Sequence, residues 1–418
     1  MKFRLPIFSR REFIKTTTSA GTVASLGGAL FAPSMVQTSK TPVGKKGQSY
    51  PDERRKYTDS KSGKTVWQLT NNPPGRRASY SYYNVAKVTP DERWAIYSSD
   101  RYSPSPGQYN LFKMDLRTGE SVQLTESSDI ETTDNVVLTK NGKEVYFFDK
   151  EKNIRVVDME TFKERKIGQL PENAGRPLHN SSVSSDGLTL LTARPLEPEA
   201  TYTYMSEWAQ HHALVAIRTD NGQMRNAVEG QFPIGINEFN PTNDNLILWD
   251  IHGDWEVVHR PWVINTQDGK VRPVMLTIKG EGSGHQFWSW NGQMVYSVMN
   301  GGRYPQGLWV CDWPSGNNER CVAIGGTHAH AASSPQDDVF VQDEVFGKTD
   351  ALFVSRKGSP QAQVLCQIEP WMELKQVDGK RVWSPTPYHP HARFTPSGTK
   401  VAFNAKSNNA GNIYLVEL

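Results

Sequence analysis

The sequence predicts an all-β chain, a seven-bladed β-propeller with four-stranded blades whose ring is closed by strands from the N- and C-terminal ends. Three observations lead there. Among 418 residues, 12 Trp, 15 Tyr and 16 Phe accompany 33 Gly and 26 Pro, a balance of strand-forming aromatics and turn formers. A unit built from a turn and alternating strands recurs at intervals of about 45 to 60 residues, which is the span of one propeller blade. The last copy ends one strand short, and a spare strand lies near the start of the domain. With 37% hydrophobic residues and a mean hydropathy of −0.60, the chain is expected to bury a sizeable core and to have no membrane span.

Residues 1–36 read as a twin-arginine export signal. Ser9-Arg10-Arg11-Glu12-Phe13-Ile14-Lys15 precedes a weakly apolar stretch from Thr16 to Ala32. No Cys follows that stretch, so a lipid anchor is not expected, and the protein is placed in the periplasm or outside the cell. The same residues hold most of the positive excess behind the net charge of +3: Lys2, Arg4, Arg10, Arg11 and Lys15 stand there against Glu12. The remainder is close to neutral and has no run of like charges, which removes the case for a nucleic-acid partner. Residues 37–49 read as a linker and 50–418 as the propeller.

Within the propeller, Thr65-Val66-Trp67-Gln68-Leu69-Thr70 is the spare strand. Seven copies of a turn and a strand follow. The turns begin at Thr89, Lys140, Ser185, Pro241, Trp290, Pro335 and Pro396, and the strands read WAIYSSD, EVYFFD, LTLLTA, NLILWD, QMVYSV, VFVQDE and TKVAFNA. After each comes a strand, a polar turn and another strand, except in the seventh copy, which stops at Asn412-Ile413-Tyr414-Leu415-Val416. Strands from both ends of the domain would remove the exposed sheet edge. A β-sandwich is not expected to repeat in this way, and a TIM barrel needs a 3.6-residue apolar period between its strands. The insertion from Glu199 to His212 is the one stretch with a helical pattern. Cys311, Cys321 and Cys366 have no spacing that resembles a zinc site and read as free thiols.

The histidines carry the chemistry. His285, His328, His330, His389 and His391 each read as lying just before the first strand of a copy, in GEGSGHQFWSW, GGTHAHAASS and TPYHPHARFTP. In a propeller that strand lines the central channel, so these positions converge on one mouth. His389-Pro390-His391 reads as an extended segment with two imidazoles on one side, able with His330 to hold a divalent metal. Surface or core histidines are the alternative. His285 follows a glycine-rich approach and precedes Phe287 and Trp288, a setting that keeps an imidazole neutral and fit to accept a proton, or simply a core histidine capping a turn. Arg260, in Glu256-Val257-Val258-His259-Arg260-Pro261-Trp262, opens a second strand one copy earlier. Read by itself it is an arginine at a blade edge.

At HRPWVIN, EGSGHQFW, AHAASS and YHPHARFTPSG the sequence resembles the oligogalacturonate lyase family, seven-bladed propellers that bind a divalent metal, commonly manganese, and cleave short pectic chains. The resemblance runs over most of the domain and is strongest from Gly235 onward. It implies His285 as the base, Arg260 as the group that neutralises the substrate carboxylate, and His330, His389 and His391 as metal ligands. Where the family has a further ligand, a glutamine, this chain has Thr386. Manganese is the implied metal, with calcium or zinc as alternatives. The implied partner is a uronate-containing oligosaccharide, and the reaction a β-elimination. Ser79-Tyr80-Ser81-Tyr82-Tyr83 is richer in tyrosine than the family's counterpart. Tyr80 and Tyr82 are candidates to stack on sugar rings, and His252 and His328 are placed with them as candidate substrate contacts. The export signal and the tyrosines leave open another uronate glycan, such as ulvan. A non-catalytic propeller resembling the TolB-like periplasmic modules has no need of such a histidine set, and no acidic pair of the kind a glycoside hydrolase uses recurs at these positions.

Overall fold

The computed structural model describes residues 43–126, 129–172, 175, 177–196, 211–252, 258–324, 328–344, 351–369, 372–377, 380–385 and 389–418. The expected signal, Thr386 and all but the end of the Glu199–His212 insertion lie outside the described residues. His212 itself opens a strand, His212–Arg218.

The chain is all-β, with sheets of antiparallel strands, three of them four-stranded, arranged like the blades of a propeller, and one parallel bridge, Ile324↔Gln361, joins two neighbouring sheets. Among the described residues the helical content is one 3-10 turn, Thr133–Asn135. Each sheet runs in chain order from an inner strand outward. Ile234–Asn240, Asn243–Ile251, Pro261–Asn265 and Val271–Pro273 make one such sheet, and Leu178–Val183, Thr189–Pro195, His212–Arg218 and Met224–Gly230 another. The strand of every repeat copy appears as the second strand of a sheet, from Trp94–Ser99 to Lys400–Ser407.

These second strands do not alternate between buried and exposed. Glu144–Phe148 and Thr189–Pro195 are buried at every position after their first, because sheets packed face to face cover both sides. The fourth strand Glu164–Gln169, by contrast, is exposed at three of its six positions and fully buried at none.

Strands from the two ends of the domain share one sheet. Thr65–Gln68 pairs with Ala410–Glu417 through Val66↔Val416, Trp67↔Leu415 and Gln68↔Tyr414, and Arg55–Thr58 adds a fifth strand outside it. The described part of the expected linker is not a linker. Gly44 N–H donates to the Tyr102 carbonyl at 2.9 Å and Gly47 N–H to that of Gln123 at 2.8 Å, while Ser49–Tyr50 pairs with Ser121–Gln123. Short polar residues and glycines that look like spacer in sequence are here an edge strand and its approach. The hairpin Met372–Val377 with Lys380–Pro385 stands outside the repeat and precedes the His389 segment. All three cysteines are free, and burial pushes the Cys311 thiol up to about 12. No helix among the described residues is long and apolar enough to cross a membrane.

Candidate metal and proton-transfer site

The inner strands bring His285, His330, His389 and His391 together, and local backbone irregularities aim them. In Gly282–Trp288 the pairing with Met294–Asn300 steps from Gly284↔Val298 to Phe287↔Tyr296, leaving His285 and Gln286 opposite one residue. His285 sits in this bulge with φ +46°. A bulge of this kind re-aims a side chain out of the regular pleat. In His328–Ser333 the step from His328↔Glu344 to Ala331↔Gln342 leaves Ala329 and His330 opposite Asp343. One Asp343 oxygen accepts the His330 backbone N–H at 2.7 Å and the other lies 3.0 Å from His330 Nδ1. With Asp343 fully buried, a proton on Nδ1 is donated to the carboxylate, and the Nε2 lone pair is left for a metal.

His389 and His391 converge differently from the expected strand alternation. Asn404 on Lys400–Ser407 donates its backbone N–H to the Pro390 carbonyl at 2.8 Å and its Nδ2 to the His389 carbonyl at 2.9 Å. These two bonds pin the segment. His391 then takes a left-handed φ of +47°, so a backbone turn, not period-two alternation, sets the two rings at 5.3 Å between centroids. His330 lies 4.7 Å from His391, 5.6 Å from His389 and 4.3 Å from His285.

One ligand nitrogen from each of His330, His389 and His391 lies within 4.8 Å of the others, close enough to share one ion. The donors suit a cation. Burial, reinforced by His330, pushes His389 down to about 3 and His391 well below the ordinary histidine range, so both imidazoles are neutral and have lone pairs to give. His391 Nε2 is buried with no hydrogen-bond partner among the described residues. A buried polar atom left without a partner is costly, and a bound cation would satisfy it.

Arg260 is fully buried. Its Nη2 and Nε donate to Asp250 Oδ2 at 2.7 and 3.2 Å, and its Nη2 is 2.6 Å from His252 Nδ1. Asp250 Oδ1 accepts the N–H groups of Ile236 and Gly235 at 2.7 and 3.2 Å, in a bulge equivalent to that of His330. Burial alone would raise Asp250, but His252 and Arg260 hold its carboxyl well below the usual range. The guanidinium is therefore fixed along one edge by an anion. His252, expected among the substrate contacts, is 5% exposed and belongs to this anchoring network. Burial and Arg260 keep it below the ordinary histidine range.

Tyr83 joins the two groups. Its ring lies 5.2 Å from His330 and 5.9 Å from His285, its hydroxyl donates to the Gln286 carbonyl at 2.7 Å, and the charges of Asp250 and Arg260 both act on it. Tyr82 packs edge-on at 4.6 Å from His391. Tyr80 differs from the expectation: it is fully buried in a separate cluster with Ala78, Val88, Ala95 and Ile413, where it packs the core. The His328 backbone pairs with Glu344, its side chain lies outside the described residues, and so does Thr386.

The segment from Ser81 to Asn84 spans the channel. Ser81 Oγ donates to the Asp134 carbonyl and Asn84 Nδ2 to that of Asn237, while Tyr82 and Tyr83 touch the histidines. Lys87 Nζ donates to the Ser81 and Tyr82 carbonyls at 2.6 and 2.8 Å, and Arg393 Nη1 to that of Tyr83 at 3.2 Å. Asp250, Asp343, Tyr83 and Lys87 were not singled out from sequence. The aspartates carry a signal nonetheless, because NLILWD and VFVQDE have an Asp at or next to their ends, as WAIYSSD does. There Asp100 Oδ1 accepts the Arg77 N–H at 2.7 Å in the same manner.

Comparison with known proteins bears on the fold and the family. The chain is 22% identical over 392 residues to the oligogalacturonate lyase of Dickeya dadantii strain 3937, covering 87% of this chain and 95% of that protein. It is 21% identical over 401 residues to the oligogalacturonide lyase of Pectobacterium atrosepticum, covering 89% and 98%. Among solved structures, an oligogalacturonate lyase in complex with manganese superposes with a TM-score of 0.78 at 20% identity, over 89% of this chain and 98% of that one. The Vibrio parahaemolyticus enzyme gives 0.77 at 21% identity over the same shares. The model of the oligogalacturonate lyase family matches residues 44–350, well over half of the chain, and with the fold it shares the chain belongs to that family.

Proposed function

We propose that the protein is a metal-dependent lyase that cleaves uronate-containing oligosaccharides by β-elimination on a seven-bladed propeller, with residues 1–36 serving as a twin-arginine export signal. The observation that carries the reading is the convergence of three imidazoles, His330, His389 and His391, with the ring of a fourth, His285, 4.3 Å from His330. His330, His389 and His391 would hold the ion, with manganese the choice that the solved relative suggests. When bound, a divalent cation withdraws charge from the uronate carboxylate and so makes the neighbouring C–H acidic.

The chain's own residues supply the rest. Arg260, fixed by Asp250, presents a permanent positive charge to the carboxylate as negative charge develops on it. His285 accepts the proton from carbon 5. The electron pair of that C–H bond becomes the double bond between carbons 4 and 5. The bond from carbon 4 to the glycosidic oxygen breaks, and its pair leaves with the departing sugar, whose oxygen takes up a proton. No water is consumed. Asp343 holds His330 in one tautomer, and Tyr82 and Tyr83 form an aromatic wall beside the histidines.

The test is ultraviolet absorbance of the unsaturated product, with oligogalacturonides and ulvan as substrates and manganese or calcium added. A signal lost on chelation and in His285→Ala supports the reading, and the productive glycan names the substrate. A folded, metal-loaded protein that gives no signal with any uronate glycan overturns it.

A further inference from the structure

The channel has a second mouth. His285 and His330 sit in the bulges within their inner strands, Gly282–Trp288 and His328–Ser333, whereas a cavity of about 380 Å³ is lined by the ends of inner strands and the turns beyond them, including Ser182, Glu238, Lys140 and Trp290. The Ser81–Asn84 segment lies between the two. Tyr82 and Tyr83 face the histidines, while the carbonyls of Ser81, Tyr82 and Tyr83 receive Lys87 and Arg393, which line the cavity.

The charge of this mouth is unbalanced. Lys87, Lys140 and Arg393 line it, and Glu238 is the one carboxylate among the described lining residues. Glu238 Oε2 already accepts the Trp288 N–H at 3.0 Å, and among the described residues neither Lys87 nor Arg393 stands in an ion pair. Glu238 offsets part of the Arg393 charge and Asp134 part of that of the buried Lys87, but three cations face one carboxylate in the cavity, and an anion would offset the cost of the remaining positive charge. The remaining wall alternates hydroxyl and amide groups (Asn84, Thr139, Ser181) with flat apolar surface (Trp290, Phe239, Phe394). Its volume falls in the lower part of the range of about 300–1,000 Å³ typical of small-molecule sites.

We propose that this far mouth binds a small hydroxylated carboxylate of the size of one sugar acid, its carboxylate towards Lys87 and Arg393 and its ring or carbon chain along Trp290. This site is distinct from the metal end and does not depend on the lyase reading.

Calorimetric titration of the full-length, metal-stripped protein with D-galacturonate, D-gluconate and neutral D-galactose tests it. Both acids are expected to bind at least tenfold more tightly than galactose. Arg393→Gln should weaken them about tenfold or more, as loss of a charged hydrogen bond does, and Lys140→Glu, at the exposed rim, about threefold. His330→Ala should leave binding unchanged. A tenfold preference for galacturonate assigns the site to pyranose uronates, and equal binding assigns it to hydroxy acids generally. The proposal is overturned if the acids bind no better than galactose. It also falls if His330→Ala abolishes binding while Lys140→Glu leaves it intact, because the ligand then occupies the metal end. Should Arg393→Gln fail to fold, Lys140→Glu decides the matter alone.

Discussion

Asp343 shows how much of the site depends on residues that would never touch substrate. It fixes the His330 backbone and ring together, so Asp343→Asn is expected to leave the fold intact and to lower manganese affinity about 10- to 100-fold, the usual cost of losing such a partner. Calorimetric titration with manganese measures this, and an unchanged affinity would show that the ring holds its position without the carboxylate. Glu238 makes a different prediction. Burial raises its pKa from 4.5 to about 7. Between those values the folded chain holds a proton that the unfolded chain has lost, so the associated stability is complete below about pH 4.5 and declines as pH rises towards 7. Glu238→Gln should therefore gain on the wild type between pH 5 and pH 8, by on the order of 1–2 kcal/mol once solvent in the cavity is allowed for. Thermal melts of both proteins at the two pH values check it; a constant gap would mean an ordinary carboxyl. The sequence brought out the histidines by their recurrence near the inner strands, whereas Arg260 read as an arginine at a blade edge and stood out only through the family resemblance. Tyr80 and Tyr82 could not be told apart, since alternate residues of one segment go to the core and to the site, and only the fold says which.

At the scale of elements, the site is built from bulges. Those carrying His285 and His330, and the one whose N–H groups bind Asp250, fall at equivalent points of neighbouring sheets, so one irregularity of the repeat has been used repeatedly. His285 is held at φ +46°, where a side chain is strained and glycine is not. His285→Gly is expected to be inactive yet more stable than His285→Ala by about 1 kcal/mol. Chemical denaturation of the two variants decides it, and equal stabilities would show that the bulge bears no strain. The second strands were legible from their turns and apolar runs, because each strand has a turn former before it and is buried along its length. The bulges were not, since a one-residue slip in pairing leaves no mark on composition. Nor was the edge strand Ser49–Tyr50, too short and polar to stand out from a spacer.

For the whole molecule, the missing strand of the last copy was the most informative feature of the sequence. It required a partner from the other end, and Thr65–Gln68 supplies it. Val66 is fully buried at that join. Val66→Asp places an unpaired charge in the closing sheet and is expected to cost about 3 kcal/mol or more and to expose the edge of Ala410–Glu417. Size-exclusion chromatography with light scattering should then show association; a monomer of wild-type stability would mean that the closing strand is dispensable.

That join also governs time. Trp67 bonds to Glu417 across 350 positions of the chain, so the early strand pair Arg55–Thr58 and Thr65–Gln68 must wait for the last strand before its sheet is complete. Pairings this remote are slow to form because the intervening loop entropy is spent before any contact rewards it. Closure is thus expected among the late, slow events of refolding, and until it happens the early strand pair keeps an edge that a chaperone, or a second nascent copy, can reach first.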